Sequence, residues 1–234
     1  METLGGFEIG KVHCIDCLTA LKMLPDKSVD CVITDPQYGM NYHSNRYVNG
    51  NPFDKIIGDD KFPVEAIEQF ERIAKRCVYV FCRWDNLQEI KKPKSFLCWV
   101  KDNWTAGDLY HEHGRQWEGI AFYPQEQHEF ITRTPDIIFC PRVSGKSLVH
   151  PTQKPVELIG QIIRANVGDI ICDPFSGSGT TGVACAQLGR RFLGFELSQE
   201  YTDLANDRIQ AATRGQTLRQ YKQGQEILQF GDND

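Results

Sequence analysis

Two apolar runs in this chain each end on an acidic residue followed by proline, and together they fix most of what it can fold into. Val29-Asp30-Cys31-Val32-Ile33-Thr34 leads into Asp35-Pro36-Gln37-Tyr38, and residues 169–172 lead into Asp173-Pro174-Phe175-Ser176-Gly177-Ser178-Gly179-Thr180. A short apolar run closed by a turn signal reads as a buried strand, and repeated alternation with amphipathic segments reads as a sheet wrapped by helices. Strands are expected over 10–15, 29–34, 78–81, 96–100, 127–132, 136–140, 169–172 and 191–195. Helices are expected over 17–23, 63–75, 85–91, 155–165, 179–188 and 198–212. The fold class is therefore α/β, with a mostly parallel twisted sheet of about seven or eight strands and helices on both faces. One antiparallel hairpin edge is expected, formed by 127–132 and 136–140 around Thr134-Pro135.

The 234 residues suit one large domain over 1–212, in two halves at 1–149 and 150–212, followed by a Gln-rich polar tail at 213–234 that frays or extends the last helix. No apolar stretch reaches membrane-spanning length, and residues 1–10 hold acids and glycines instead of a charged-then-apolar leader, so a cytoplasmic protein is expected. Most cysteines lie inside apolar runs (Cys31, Cys77, Cys82, Cys98, Cys140, Cys172, Cys185) and read as small buried hydrophobes. Cys14 and Cys17 form a C-x-x-C beside His13, but zinc would need a second such pair, so packing is expected and no metal. The net charge of −5 argues against a uniformly basic nucleic-acid binder. Local fields are another matter. Residues 71–101 carry eight basic side chains against three acids, and 137–156 carry Arg142, Lys146 and Lys154 with no acid. Each cluster is either a phosphate-facing field or a solvated helix face.

The second turn has the form strand, glycine turn, helix. Its Gly177-x-Gly179-x-x-Gly182 spacing lets backbone approach a ligand and presents the N–H groups of the next helix. Glu196 lies 19 residues beyond Gly177, at the end of the next expected strand, where a carboxylate can accept from ribose hydroxyls. A triphosphate loop would need Gly-Lys-Ser/Thr, and here Gly179 is followed by Thr180-Thr181. A nicotinamide enzyme would usually place its substrate half after the fingerprint, yet 52 residues follow Gly182.

With His150-Pro151-Thr152-Gln153-Lys154-Pro155 just ahead of the second turn, these motifs resemble the DNA amino-methyltransferases that use S-adenosylmethionine. The match is to the circularly permuted (β) class, in which the catalytic half precedes the cofactor half. The resemblance implies a Rossmann-like methyltransferase domain, S-adenosyl-L-methionine as cofactor, and double-stranded DNA with a flipped base as substrate. It places Asp173, Phe175, Gly177, Gly179 and Thr180 around the cofactor, Glu196 on its ribose, Asp16 near its adenosine and Lys154 beside its methionine end.

The first turn is then the catalytic one. An exocyclic amine is a poor nucleophile because its lone pair is delocalised into the ring. In this resemblance the Asp35 carboxylate and the Pro36 carbonyl take its two N–H bonds and aim the lone pair at the methyl group, which stabilises the transition state more than the substrate. Tyr38 would stack on the base, a contact worth about 1–3 kcal/mol. The family pattern is Asp-Pro-Pro-Tyr, and Gln37 stands at its second proline. Asp35 leans the reading towards N6 of adenine over N4 of cytosine, whose enzymes more often carry Ser. The alternatives are cytosine-N4 transfer, a catalytically silent nucleic-acid or cofactor-binding subunit, and a nicotinamide oxidoreductase.

Reaching either amine requires base flipping at a cost of a few kcal/mol. The polar segment 39–60, with Tyr42 and Arg46, is the expected cover for the flipped base, while Gln37, Arg142 and Lys146 are candidate DNA contacts. About ten residues, 141–150, separate the last expected strand from His150-Pro151-Thr152, where relatives carry a sizeable recognition segment. Base readout is therefore short, or a homodimer or specificity partner supplies it. A bacterial or phage-encoded, nucleoid-associated enzyme fits this picture, either an orphan or the modification half of a restriction system.

Overall fold

The protein is analysed as a computed structural model that describes residues 2–39, 47–48, 51–52, 62–104, 110–111, 113–144 and 153–231. A two-residue hairpin, β1 (Thr3–Leu4) with β2 (Phe7–Glu8), leads into β3 (Lys11–Cys14), α1 (Cys17–Met23) and β4 (Val29–Thr34). A short ladder, β5 (Tyr47–Val48) with β6 (Asn51–Pro52), lies inside the polar segment 39–60. Then come α2 (Val64–Ile73), β7 (Ala74–Cys82), a 3-10 turn (Asp85–Gln88), β8 (Ser95–Val100), β9 (Trp117–Pro124) and β10 (Ile137–Phe139). The chain finishes with α3 (Val156–Ala165), β11 (Ile170–Asp173), α4 (Thr180–Gln187), β12 (Arg191–Glu196), α5 (Gln199–Thr213) and α6 (Leu218–Gly231).

Eight strands form one sheet in the order β10-β8-β9-β7-β4-β11-β12-β3. All run parallel except β9, which is antiparallel to both β7 and β8. The period-2 pattern of β4 explains the layering. Cys31 and Ile33 pack with α3, α4 and α5 on one face, and Val32 packs with α1 and α2 on the other. Each helix brings a matching stripe, such as Ala66, Ile67, Phe70 and Ile73 on α2 or Leu158, Ile159, Ile162 and Ile163 on α3. Each fully buried large side chain contributes about 1.5–3 kcal/mol over exposure. The free edge of β3 is closed by Asn206 of α5, which accepts from the Val12 N–H and donates to the Val12 carbonyl, both at 2.9 Å.

Chain direction reverses in the middle of the sheet. From β4 the path steps outward through β7 to β9, β8 and β10, then returns to β11 on the other side of β4 and continues outward to β12. Such a switch point opens a crevice at the carboxyl ends of its two strands. Those ends are the two acidic turns.

Three expectations are corrected. The antiparallel pair is β8 with β9, not 127–132 with 136–140. The first of those segments makes only the bridge Phe130 to Asn166, and the second supplies β10, which pairs parallel to β8. β9 escaped the sequence reading because its apolar run, Ile120 to Tyr123, is short and stands behind Glu118 and Gly119. Gly119 is needed there, since a Cβ would lie 2.1 Å from the Phe96 ring. The tail neither frays at residue 213 nor continues α5. It turns and forms α6, docked by buried Tyr221, with Arg214 over the Tyr221 ring at 5.1 Å. The basic cluster at 71–101 is largely internal fastening. Arg72 caps α1 through the Leu21 and Leu24 carbonyls and pairs with Asp26, while Arg83 pairs with Asp85 and Lys91 with Glu71. Among the described residues, no helix is long and apolar enough to cross a membrane.

Candidate active site

β4 and β11 are neighbours and parallel, so Asp35 and Asp173 emerge side by side. The Thr34 hydroxyl donates to Asp173 Oδ1 at 2.8 Å and ties the two strand ends together. α3 precedes β11 and runs back along it, which brings Lys154, just ahead of α3, to the same edge. β9 runs the other way, so its start, Trp117-Glu118, lies at that edge too, opposite the end of β8.

These elements assemble a compact charged cluster. Lys154 Nζ donates to Asp35 Oδ2 at 2.5 Å, pairs with Glu118 Oε2 at 3.2 Å, and lies 3.3 Å from the Tyr38 hydroxyl. The Tyr38 hydroxyl donates to Asp35 Oδ1 at 2.6 Å. The ammonium also sits over the Tyr38 and Phe81 rings, 5.5 and 5.2 Å from their centroids. Lys101, at the end of β8, pairs with Glu118 from behind. Asn86 of the 3-10 turn fixes the loop by donating to the Tyr38 carbonyl at 3.3 Å and accepting from the Arg83 N–H at 3.1 Å.

Burial and charge act against each other here. Burial pushes Asp35 above the usual carboxylate range, Lys154 pulls it back, and Glu118 adds to the rise. Burial disfavours the charged form of Lys154, but Asp35 and Glu118 outweigh it and hold the ammonium protonated. Burial would likewise raise Glu118, yet Lys154 and Lys101 together keep it at about 2. Burial, then Asp35 and Glu118, push Tyr38 well above the usual phenol value, so it remains a neutral donor.

The glycine turn is held differently. Gly177 and Gly179 adopt left-handed backbone (φ 50° and 77°), and Gly179 leaves no room for a Cβ, which would come within 2.7 Å of the Ala205 Cβ. Glu196, at the end of β12, accepts from the backbone N–H groups of Gly177, Leu197 and Ser198, each at 2.9 Å. Asp173 is buried and accepts from the Thr34 and Thr181 hydroxyls and the Phe175 N–H. Burial pushes it up to about 6 against the pull of those donors. Phe175 is half-buried, edge-on to Phe70 at 6.4 Å.

The residues fit the expected cofactor. Carboxylates and hydroxyls gather at this turn, and Glu196 is half-buried and held by its own loop with acceptor capacity to spare. Such a set suits ribose hydroxyls and a positive sulfonium, and suits a triphosphate poorly.

Lys154, expected beside the cofactor, sits on the Asp35 carboxylate. Asp173, expected to touch the cofactor, accepts through both oxygens from hydroxyls that fasten β4 and α4 to the end of β11. Asp16 caps α1, its Oδ1 accepting from the Thr19 N–H and hydroxyl at 2.9 and 2.8 Å. Thr180 is buried as the first residue of α4, and Gln37 is half-buried beside Pro36. Arg142 follows β10, its N–H donating to Asp102 at 3.0 Å. Tyr42, Arg46, Lys146 and His150-Pro151-Thr152 lie outside the described residues. Cys17 is no ready thiolate, because burial and then Asp16 push it up to about 12. Glu118 and Lys101 were missed by sequence reasoning. The available signal was one acid at the head of an apolar run, Glu118 before Gly119-Ile120-Ala121-Phe122.

Comparison with known proteins agrees with this geometry. The N6/N4 DNA methylase family model matches residues 88–207. The chain is 26% identical to the type II methyltransferase M.HpaI of Haemophilus parainfluenzae, over 88% of its own length and 76% of that protein. It is also 26% identical to the DNA adenine methyltransferase YhdJ of Escherichia coli K12, over 85% and 82% respectively. Among solved structures, the M1.HpyAVI–SAM complex superposes with a TM-score of 0.62 at 26% identity, covering 85% of this chain and 98% of that one. The cytosine-N4-specific PvuII DNA methyltransferase shares the fold, with a TM-score of 0.61 at 14% identity, over 90% and 94%. An acidic-proline turn and a glycine turn meet at one switch point, in a chain matched over half its length by that model: it belongs to the N6/N4 DNA methylases, the DNA amino-methyltransferases that take their methyl group from S-adenosylmethionine.

Proposed function

We propose that this chain methylates N6 of adenine in double-stranded DNA, with Asp35, Pro36 and Tyr38 as the catalytic residues. The observation that carries the reading is the position of the Asp35 carboxylate, at the switch-point crevice and one strand away from the glycine turn. An aspartate at the head of the clamp supports adenine, as does the likeness to YhdJ, which is named as an adenine enzyme.

When bound, S-adenosylmethionine supplies an electrophilic methyl group on a positive sulfur. The protein's share is to hold and aim. Asp35 and the Pro36 carbonyl each accept one N–H of the flipped amine, which turns the lone pair out of conjugation with the ring. Tyr38 supplies the stacking face, with its hydroxyl committed to Asp35 at 2.6 Å. As the methyl arrives the amine becomes positive and must lose a proton. Asp35 stands next to it with a carboxylate that burial has made more basic than a solvated one. On the cofactor side, Glu196 binds the ribose, with Phe175, Gly177, Gly179 and Thr180 around the methionine and ribose portions and Asp16 near the adenosine. Gln37, Tyr42 and Arg46 in one stretch of the chain and Arg142 and Lys146 in another are proposed to face the DNA.

Methylation read by sequencing host DNA with and without the protein, followed by nucleoside digestion, tests the proposal. N6-methyladenine at a short fixed site is the expected outcome. N4-methylcytosine would replace adenine by cytosine, and cofactor binding with no labelled base would make the chain a silent subunit.

A further inference from the structure

We infer that Lys154, held by Glu118, is the positioning residue and counter-ion of the amine clamp. It is not a cofactor ligand, and the clamp is therefore built from four elements and not from one loop. The inference rests on the methyl-transfer reading of Asp35. Lys154 is among the most buried charged residues described, at 7% exposure, and among the described residues every polar contact of its ammonium points to the clamp: Asp35 Oδ2 at 2.5 Å, Glu118 Oε2 at 3.2 Å and the Tyr38 hydroxyl at 3.3 Å. A buried ammonium is paired in a folded protein, and its partners tell what it holds. This one bridges two acids from strands on opposite sides of β7, and one of the two is the residue that must accept the substrate's N–H.

Sterics and charge give the arrangement its purpose. Asp35 has Oδ1 tied to Tyr38 and Oδ2 tied to Lys154, so the carboxylate cannot rotate, while each oxygen keeps a lone pair for an incoming amine. Glu118 holds the ammonium in place, and Lys101 balances Glu118, so the group of four carries two positive and two negative charges. A carboxylate buried without that balance would take up a proton and lose its ability to accept the amine N–H. The groups facing Asp35 are Tyr38 from its own loop, Cys82 from β7, Glu118 from β9, Asp173 from β11 and Lys154. Lys154 is the positive one among them. Removing it leaves Asp35 facing two carboxylates.

The test compares the full chain with Lys154→Met, Lys154→Arg and Glu118→Gln. Each is assayed for labelled-methyl transfer from S-adenosylmethionine to unmethylated bacterial DNA, for cofactor affinity by calorimetry, and for the pH dependence of the rate. Lys154→Met is expected to lower kcat at least tenfold at neutral pH and to leave cofactor affinity within about threefold. It should also move the acid limb of the rate profile up by about one pH unit or more, since Asp35 loses its positive neighbour. Lys154→Arg should restore the limb, because the charge is retained, even where kcat recovers only in part. Glu118→Gln should move the limb the opposite way, since it removes a negative neighbour; this variant decides the matter if Lys154→Met does not fold. Cofactor affinity falling in step with kcat would return Lys154 to the cofactor and overturn the inference, as would a limb that stays fixed in every variant. A wild-type chain that labels no base would instead sink the methyl-transfer reading, and this inference with it.

Discussion

The two turns at the switch point begin alike, acid then proline, yet they are held in place by different physics. The glycine turn is fixed by backbone donors. Glu196 collects three N–H groups, Asp173 takes one N–H and two hydroxyls, and left-handed glycines set the path. The Asp35 turn, the proposed amine clamp, is fixed by side-chain charge from distant elements: Lys154 ahead of α3, Glu118 on β9 and Lys101 after β8. A surface that cradles a cofactor is well served by rigid backbone. On the proposed reading Asp35 takes an amine's proton, which calls for an environment that can be tuned, and side-chain charges are the means. Binding and chemistry should therefore separate under mutation.

Asp35→Ala gives the largest expected effect. Transfer should fall by more than about 10³-fold, while cofactor affinity measured by calorimetry stays within about threefold. Equal loss of both would erase the contrast between the turns. Gly177→Val is its mirror. A β-branched residue forced to φ near 50° costs about 1–2 kcal/mol in backbone alone, and its bulk invades the approach to Glu196, so cofactor affinity should drop about 10- to 100-fold. A variant that binds normally yet transfers slowly would show that the glycine turn also serves the chemistry.

A third test concerns the joint between the turns. Asp173→Ala strands the buried hydroxyls of Thr34 and Thr181 and should cost about 2–4 kcal/mol in chemical denaturation, with α4 losing its tie to β4. The pH dependence has a definite sign. The folded pKa of Asp173, about 6, lies above its unfolded value, so the native state binds the proton more tightly. Its contribution is fully favourable below the unfolded value and is lost as pH rises through about 6. Asp173→Asn should flatten that part of the stability profile. A profile unchanged by the substitution would mean the carboxylate is hydrated and not an internal fastener. The smallest effect is expected at Gln37→Pro. On the proposed reading the amine's two acceptors come from Asp35 and Pro36, so the rate should hold or rise by less than about threefold. A large fall would make Gln37 a working part of the clamp.

Much of this was legible before any coordinates. Helices α1, α3, α4 and α5 fall within about a residue of their expected spans, because capping residues such as Asp16 and Ser198, and glycines such as Gly179, mark their ends in local sequence. Strand β9 was not legible: its apolar run, Ile120 to Tyr123, is short and stands behind Glu118, which pairs with Lys154, and Gly119, where a Cβ would meet the Phe96 ring. The contacts of Lys154 were not legible for a related reason. Its neighbours in the chain suggest a helix start beside the cofactor, while its partners lie 119 residues away at Asp35 and on β9.

By itself, then, the sequence determined the alternating α/β plan, the two acidic-proline turns and the glycine path between β11 and α4. Each of these is encoded within a few residues, by periodicity, caps and backbone freedom. Tertiary structure decided that β9 runs against its neighbours, that Asp173 is a fastener, and that Asp35 is paired with a lysine steadied by Glu118. Electrostatics across a sheet depends on which strand ends meet, and adjacency along the chain carries no record of that.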